Sequence, residues 1–182
     1  MPSDICSLRR FIAWALVLPF LWDCRPTTTL LFAGIPLSVL GLIIRGWAAG
    51  SVHKDRELAT SGPYAYLRNP LYLGTLLIGI GVTIAGGKNG WLLIFLTYFI
   101  VVYHLTIAIE QNRLSQLFGP AYSEYASRVP SFIPRLMPYK PSQNTVRYGF
   151  RFRRYCHNKE WEALIGVLSI FSLLAWKSFL GL

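Results

Sequence analysis

Charge is scarce in this sequence. Only 14% of its 182 residues are Asp, Glu, Lys or Arg, against about 25% in soluble domains, a deficit that weighs against an ordinary soluble globule. Cysteine is scarcer still. Cys6, Cys24 and Cys156 lie far apart, with neither the close pairs of a metal site nor the even count of a disulfide framework, so no redox compartment follows from them. The N-terminus carries Arg9 and Arg10 ahead of an apolar run from Phe11 to Trp22, the outline of a signal peptide. A small-x-small cleavage pattern is missing from the residues that follow, and Phe20, Leu21 and Trp22 are not the small residues that precede a lipidated cysteine. The segment is expected to stay as a first anchor.

What the chain has in abundance is apolar side chains, 53% of the total, and they come in blocks. The blocks run over 8–22, 30–49, 71–86, 91–109 and 161–180. Crossing the hydrocarbon core takes about 20 residues, so the layout predicts an all-α, polytopic membrane protein of about five transmembrane helices. The first and third blocks are short for that task and need tilting, extension by flanking residues or pairing as a hairpin. Glu162 and Lys177 lie near the ends of the fifth, where they can snorkel to the interfaces. Small residues recur four apart, Gly34 with Ser38, Gly46 with Gly50, and Gly81 with Ala85, a spacing that permits close helix contact in lipid.

The net charge of +10 would suggest nucleic acid in a soluble protein, but here the basic residues flank apolar blocks. Attraction to anionic lipid headgroups is the better reading, with no nucleic-acid partner. With five spans and a cytoplasmic N-terminus, fourteen Lys and Arg fall on the cytoplasmic side: Arg9, Arg10, Lys54, Arg56, Arg68 and nine between Arg113 and Lys159. Arg25, Lys88 and Lys177 fall on the other, and Arg45 lies within the second span. The positive-inside rule therefore places both long polar regions, 50–70 and 110–160, on the cytoplasmic face.

In the first region, residues 60–63 form a turn, and Asn69-Pro70 reads as a helix start, with asparagine as N-cap and proline at the first helical position. A turn and a cap account for Gly62, Pro63, Asn69 and Pro70. They do not account for Arg68 immediately before the cap, where an arginine beside free helix N–H groups makes an anion site. Tyr64, Tyr66 and Tyr72 are either interfacial aromatics or the lining of a pocket. In the second region Glu110 directly follows an apolar run, where a carboxylate needs a partner; Arg113 at i+3 is one candidate. Tyr103 and Glu110 share a helical face, as do His104 and Gln111. His104 is either a packed neutral histidine or a proton acceptor. A helix from about Pro120 to Arg128 should end before Pro130, followed by an apolar, proline-bounded segment in the interface.

Arg147, Arg151 and Arg154 form one helical stripe beside Tyr148, Phe152 and Tyr155. That predicts a basic amphipathic surface helix, either a snorkelling juxtamembrane segment or a collector of anionic lipid through 147–154. The chain thus divides into a membrane core, 1–136, a basic cytoplasmic segment, 137–160, and an additional C-terminal transmembrane helix, 161–182.

Gly62, Pro63, Tyr64, Tyr66, Arg68, Asn69, Pro70, Tyr72 and Gly74 follow the pattern G-P-Y-x-Y-x-R-(H/N)-P-x-Y-x-G. Glu110, Leu114, Phe118, Gly119, Tyr122, Tyr125, Val129, Pro130, Phe132, Ile133 and Pro134 follow in order. Together the two blocks resemble the membrane methyltransferases of the isoprenylcysteine carboxyl and phospholipid N-methyltransferase family, over roughly residues 30–136. Asn69 stands where many members have histidine, and Gln111 where a second glutamate is usual. The resemblance implies methyl transfer from S-adenosylmethionine to a lipid or lipid-linked acceptor, either a prenylcysteine-type carboxylate or a phospholipid amine. It implies that Arg68 and the helix start at Asn69-Pro70 hold the cofactor carboxylate, and that Glu110 with Gln111 holds its ammonium and ribose. Tyr64, Tyr66 and Tyr72 would line the adenine and sulfonium region, where aromatic faces favour a cation. Glu110 or His104 would take the proton of an amine acceptor, and no metal is implied. Bacterial members with an extra tail helix resemble this arrangement, which suggests a prokaryotic inner membrane. Two alternatives stand beside this reading. One is a membrane reductase of similar fold, weakened by the short chain and the missing Gly-rich dinucleotide signature. The other is a non-enzymatic lipid-binding member, which Gln111 would suit.

Overall fold

The computed structural model describes residues 3–52, 57–140 and 149–181, and all of their regular structure is helical. The order is α1 Ser3–Asp23, α2 Thr28–Ser51, a 3₁₀ turn Gly62–Ala65, α3 Pro70–Ala85, α4 Asn89–Arg128, α5 Phe152–His157 and α6 Trp161–Leu180. Each of the five apolar blocks falls on a helix. Among the described residues three of these, α2, α4 and α6, are long and apolar enough to cross a membrane. The third block forms α3, whose 16 residues span only about 24 Å at 1.5 Å per residue. The first block lies on α1, a helix of 21 residues.

Helices α2 and α3 are in van der Waals contact through backbone. A Cβ on Gly34 would lie 2.2 Å from the Gly81 carbonyl oxygen, and one on Gly41 would lie 2.5 Å from that of Gly74. Ser38 Oγ donates to Ile78 O across the same seam at 3.3 Å. The small-residue pairs Gly34/Ser38 and Gly81/Ala85 thus face each other, as their spacing predicts. Gly46 and Gly50 meet no second helix of the core. They seat the C-terminal segment: a Cβ on Gly50 would strike the Phe150 ring at 2.2 Å, and one on Gly46 would touch Tyr155 at 3.5 Å.

The polar groups sort to the two ends. At one end Lys177 donates to the carbonyls of Leu21 and Cys24, at 2.9 and 3.0 Å, closing the C-terminus of α1. Asp23 pairs there with Lys88 and accepts from Trp91 Nε1 at 3.0 Å, and Arg25 N donates to Gly86 O at 2.8 Å. The other end holds both motif regions. The chain around the 3₁₀ turn runs beside the segment after α4: Arg68 N donates to Pro130 O, Arg135 N to Tyr66 O and Tyr139 N to Ala65 O, at 2.9, 3.0 and 2.8 Å. Ala65, Tyr122, Tyr125, Val129 and Tyr139 form a small core beneath them.

Helix α4 continues well past its apolar block, for 40 residues, with one break at Gly119, whose φ of 50° and ψ of −126° are open only to glycine at low cost. The helix that begins at Pro120 ends at Arg128, as the prolines imply. In the C-terminal segment, Arg147 and Tyr148 lie outside the described residues. Helix α5 is only Phe152–His157, and the expected basic stripe is corrected at Arg154, which turns inward rather than to the surface. Its Nη1 donates to Ser51 O at 3.4 Å and its Nη2 lies 3.8 Å from Glu57 Oε2, because the last carbonyls of α2 lack intrahelical partners. Asn158 Nδ2 and Arg151 N take two more of them, on Ala49 and Gly50, at 2.8 and 2.9 Å.

Two glycines test this packing. Gly34→Ala is expected to destabilise the protein by about 1–3 kcal/mol through overpacking against backbone. Gly166→Ala in α6 has nothing within 4 Å of the added Cβ and should be neutral or stabilising by up to ~1 kcal/mol. Thermal unfolding of the two variants in the same detergent checks the contrast.

Candidate functional site

A cavity of about 480 Å³ opens among α2, the 3₁₀ turn, α3, α4 and the start of α6, a size common for small-molecule sites. Its composition follows from local structure. Pro70 opens α3 at the first helical position and lies in the wall, which also aims Tyr72 inward. Helix α4 presents Tyr103 and Glu110 on one face, two turns apart.

Tyr72 donates its hydroxyl to Glu110 Oε2 at 2.5 Å, fixing the carboxylate against the α3 wall. The Tyr72 ring meets Tyr103 edge-on at 5.2 Å, and Tyr103 stacks on Phe99 at 4.3 Å. Tyr64 also lines the cavity. Burial first, and then the nearby Glu110 carboxylate, holds its phenol above the ordinary tyrosine range, so it keeps its proton. Arg68 reaches the cavity with Nη1 3.5 Å from the Tyr122 hydroxyl, while its Nε is buried and meets no acceptor in the protein. A buried guanidinium N–H without an acceptor is costly, and here it sits on the wall of a cavity of ligand size.

The two positions that depart from the family pattern meet at one residue. Asn69 Nδ2 donates to Ser131 O and Ser131 Oγ, at 2.9 and 3.0 Å, and Gln111 Nε2 lies 3.2 Å from the same Oγ. Asn69 does occupy the N-cap position of α3, yet its side chain makes no capping hydrogen bond. That expectation is corrected: the side chain is turned to Ser131, on the segment after α4, to which its Nδ2 donates, and its Oδ1 does not accept from the helix N–H groups.

Of the residues singled out in the sequence, Tyr64, Arg68, Asn69, Pro70, Tyr72 and Glu110 converge on the cavity. Tyr66, Gln111 and His104 do not. Tyr66 packs against the Tyr122/Tyr125 core, 6.5 Å from the Trp47 ring. Gln111 is held by Ser131, and His104 is exposed on another side of α4 from Tyr103, since adjacent helical positions differ by about 100°. Two site residues escaped the sequence reading. Arg45 donates Nε to Glu160 Oε2 at 2.9 Å and Nη2 to Glu160 Oε1 at 2.8 Å, and both residues line the cavity. Arg45 Nη1 also meets Thr75 Oγ1 on α3 at 2.5 Å. An arginine inside an apolar span was the available signal, since such a charge demands a partner. Among the described residues no three His, Cys, Asp or Glu gather as a metal site.

A helical membrane protein with a ligand-sized cavity, lined by charged, aromatic and aliphatic side chains, at one end of its bundle is thus defined by fold and site together. The model of the phospholipid methyltransferase family matches residues 28–121, just over half of the chain, and the chain belongs to that family. Among curated proteins it is 29% identical to the cobalt-zinc-cadmium resistance protein CzcN of Cupriavidus metallidurans, over 87% of this chain and 79% of that one. It is 34% identical to the protein-S-isoprenylcysteine O-methyltransferase of Schizosaccharomyces pombe, over 47% of this chain but only 36% of the yeast enzyme. The Arabidopsis thaliana protein-S-isoprenylcysteine O-methyltransferase B is 28% identical over 71% of each. No solved structure matches the chain.

The Ser131 junction yields a stability test. Asn69→Ala should cost about 1–3 kcal/mol, because it strands the Ser131 acceptors, and not because it removes a helix cap. A denaturant titration in detergent measures the loss, and an added Ser131→Ala should make the effect clearly non-additive.

Proposed function

We propose that the cavity binds S-adenosylmethionine and that the protein methylates a lipid or lipid-linked acceptor at the membrane surface. The observation that carries this reading is Arg68: a cavity-facing guanidinium whose buried Nε lacks an acceptor suits a carboxylate ligand, with Glu110 across the site suited to an ammonium. The cofactor's methionine end has both groups. Arg68 and the start of α3 would hold the carboxylate, and Glu110, oriented by Tyr72, would hold the ammonium or the ribose hydroxyls. Tyr64, Tyr72 and Tyr103 supply aromatic surface for the adenine and for the sulfonium charge.

When bound, S-adenosylmethionine supplies an electrophilic methyl carbon with a thioether as leaving group. The chain's own contribution is positioning and exclusion of water. A carboxylate acceptor needs no base. An amine acceptor must first lose a proton, and Glu110 is the carboxylate placed on the α4 wall to take it. His104 lies outside the cavity and has no part in this scheme. We read the bundle as multi-pass, with the cavity end in the cytoplasm and, in a prokaryote, in the inner membrane. Exposed Arg151 and Arg153 beside the cavity end would attract anionic lipid.

Titration calorimetry of the folded protein with S-adenosylhomocysteine tests the reading, alongside transfer of a radiolabelled methyl group into a total lipid extract. Arg68→Ala should weaken binding by about 10- to 100-fold, the worth of a charged hydrogen bond, and His104→Ala should change transfer by less than about twofold. A folded wild-type preparation that binds neither compound and labels no lipid overturns the reading; NADPH binding in its place would favour a reductase.

A further inference from the structure

The cavity has a carboxylate that lies outside both sequence motifs. Glu160 comes from the C-terminal segment, just ahead of α6, and is the one buried charged residue among the described residues, its side chain 9% exposed. Each of its oxygens accepts one N–H from Arg45. A carboxylate has about four acceptor positions, so each oxygen keeps one for another donor. Arg45 is itself fixed by Thr75 and by the Leu71 carbonyl at 3.5 Å, so the carboxylate is held rigidly in the wall. The C-terminal segment is held just as firmly. It closes three carbonyls at the end of α2 and lays Phe150 and Tyr155 on Gly50 and Gly46. A purely structural ion pair would need none of its atoms on a cavity surface, yet Arg45 and Glu160 both line the cavity that holds Arg68 and Glu110.

Glu160 also borders a second space of about 470 Å³, an apolar groove between α2 and α6 walled by residues such as Val39, Ile43, Leu164 and Leu168. It stands where the cavity that holds the charged groups of Arg68 and Glu110 meets an almost wholly apolar one. We propose that Glu160 is a ligand-binding residue of this site, oriented by Arg45, and that it accepts hydrogen bonds from a hydroxyl or ammonium group of a bound molecule. The inference rests on the methyltransferase reading above. The shared chemistry could belong to the methyl donor, within the cavity of Arg68 and Glu110, or to the head of an acceptor whose chain lies in the groove, and the experiment separates the two.

Three proteins are compared in detergent: wild type, Glu160→Gln, and the double variant Arg45→Met/Glu160→Met, which removes the pair without leaving a lone buried charge. Their thermal midpoints, their affinities for S-adenosylhomocysteine by calorimetry, and their Michaelis constants for donor and lipid extract are measured. Folded variants should lose about tenfold or more in one ligand, a shift of one decade in the binding constant. A fall in S-adenosylhomocysteine affinity assigns Glu160 to the donor. An unchanged affinity with a raised KM for the lipid assigns it to the acceptor. A folded double variant with wild-type constants for both ligands overturns the proposal, as does failure of both variants to fold, which would make the pair a stability element alone. A wild type that binds no S-adenosylhomocysteine and transfers no methyl group instead removes the reading on which the proposal rests.

Discussion

An arginine placed inside an apolar helix has to be paid for by a partner, and Arg45 organises this protein around that need. Its guanidinium meets Glu160 ahead of α6 in a two-pronged pair, and Thr75 and Leu71 on α3. Three separate parts of the chain are thereby fixed around one charge. Removing either partner would leave the other buried and uncompensated, which is far more costly than the pair is stabilising. The C-terminal segment is therefore bound to the core by necessity as well as by packing, and its docking completes the wall of the cavity.

Close backbone approach makes that geometry possible. Helices α2 and α3 meet glycine to carbonyl, so α3 lies near enough for Thr75 to reach Arg45. Gly74 contributes directly: a Cβ there would stand 2.5 Å from Arg45 Cγ. On another face of α2, Gly50 and Gly46 give room to Phe150 and Tyr155. One helix thus serves as the common post for the core hairpin and for the tail, and its unsatisfied C-terminal carbonyls are what the tail's donors seek.

The cavity end follows a second constraint, that buried polar groups must be matched. Asn69, Gln111 and Ser131 satisfy one another, and Tyr125 donates to the Tyr64 carbonyl at 2.7 Å. Tyr72 satisfies Glu110. Against this background Arg68 Nε is the one buried side-chain nitrogen without an acceptor among the described residues, and it is on this exception that the proposed ligand site rests.

Much of this was written in the linear chain. Apolar blocks of helix-spanning length, glycines four apart, Asn-Pro before a run of apolar residues and Gly-Pro at the break in α4 determined the all-helical class and most element boundaries, because period, length and backbone restriction act locally. The same holds for Tyr103 and Glu110, which share a face by helical geometry alone; that His104, a candidate proton acceptor by sequence, lies exposed outside the cavity came only from the structure. Tertiary structure alone decided the rest. Whether Asn69 would cap its own helix or bind Ser131, whether Arg154 would face lipid or α2, and which carboxylate would answer Arg45 are competitions between partners distant in sequence. Arg45 and Glu160 are 115 residues apart, and no local period relates them. Their meeting is fixed by the requirement that a buried charge be paired, which the chain can meet only once its helices have packed.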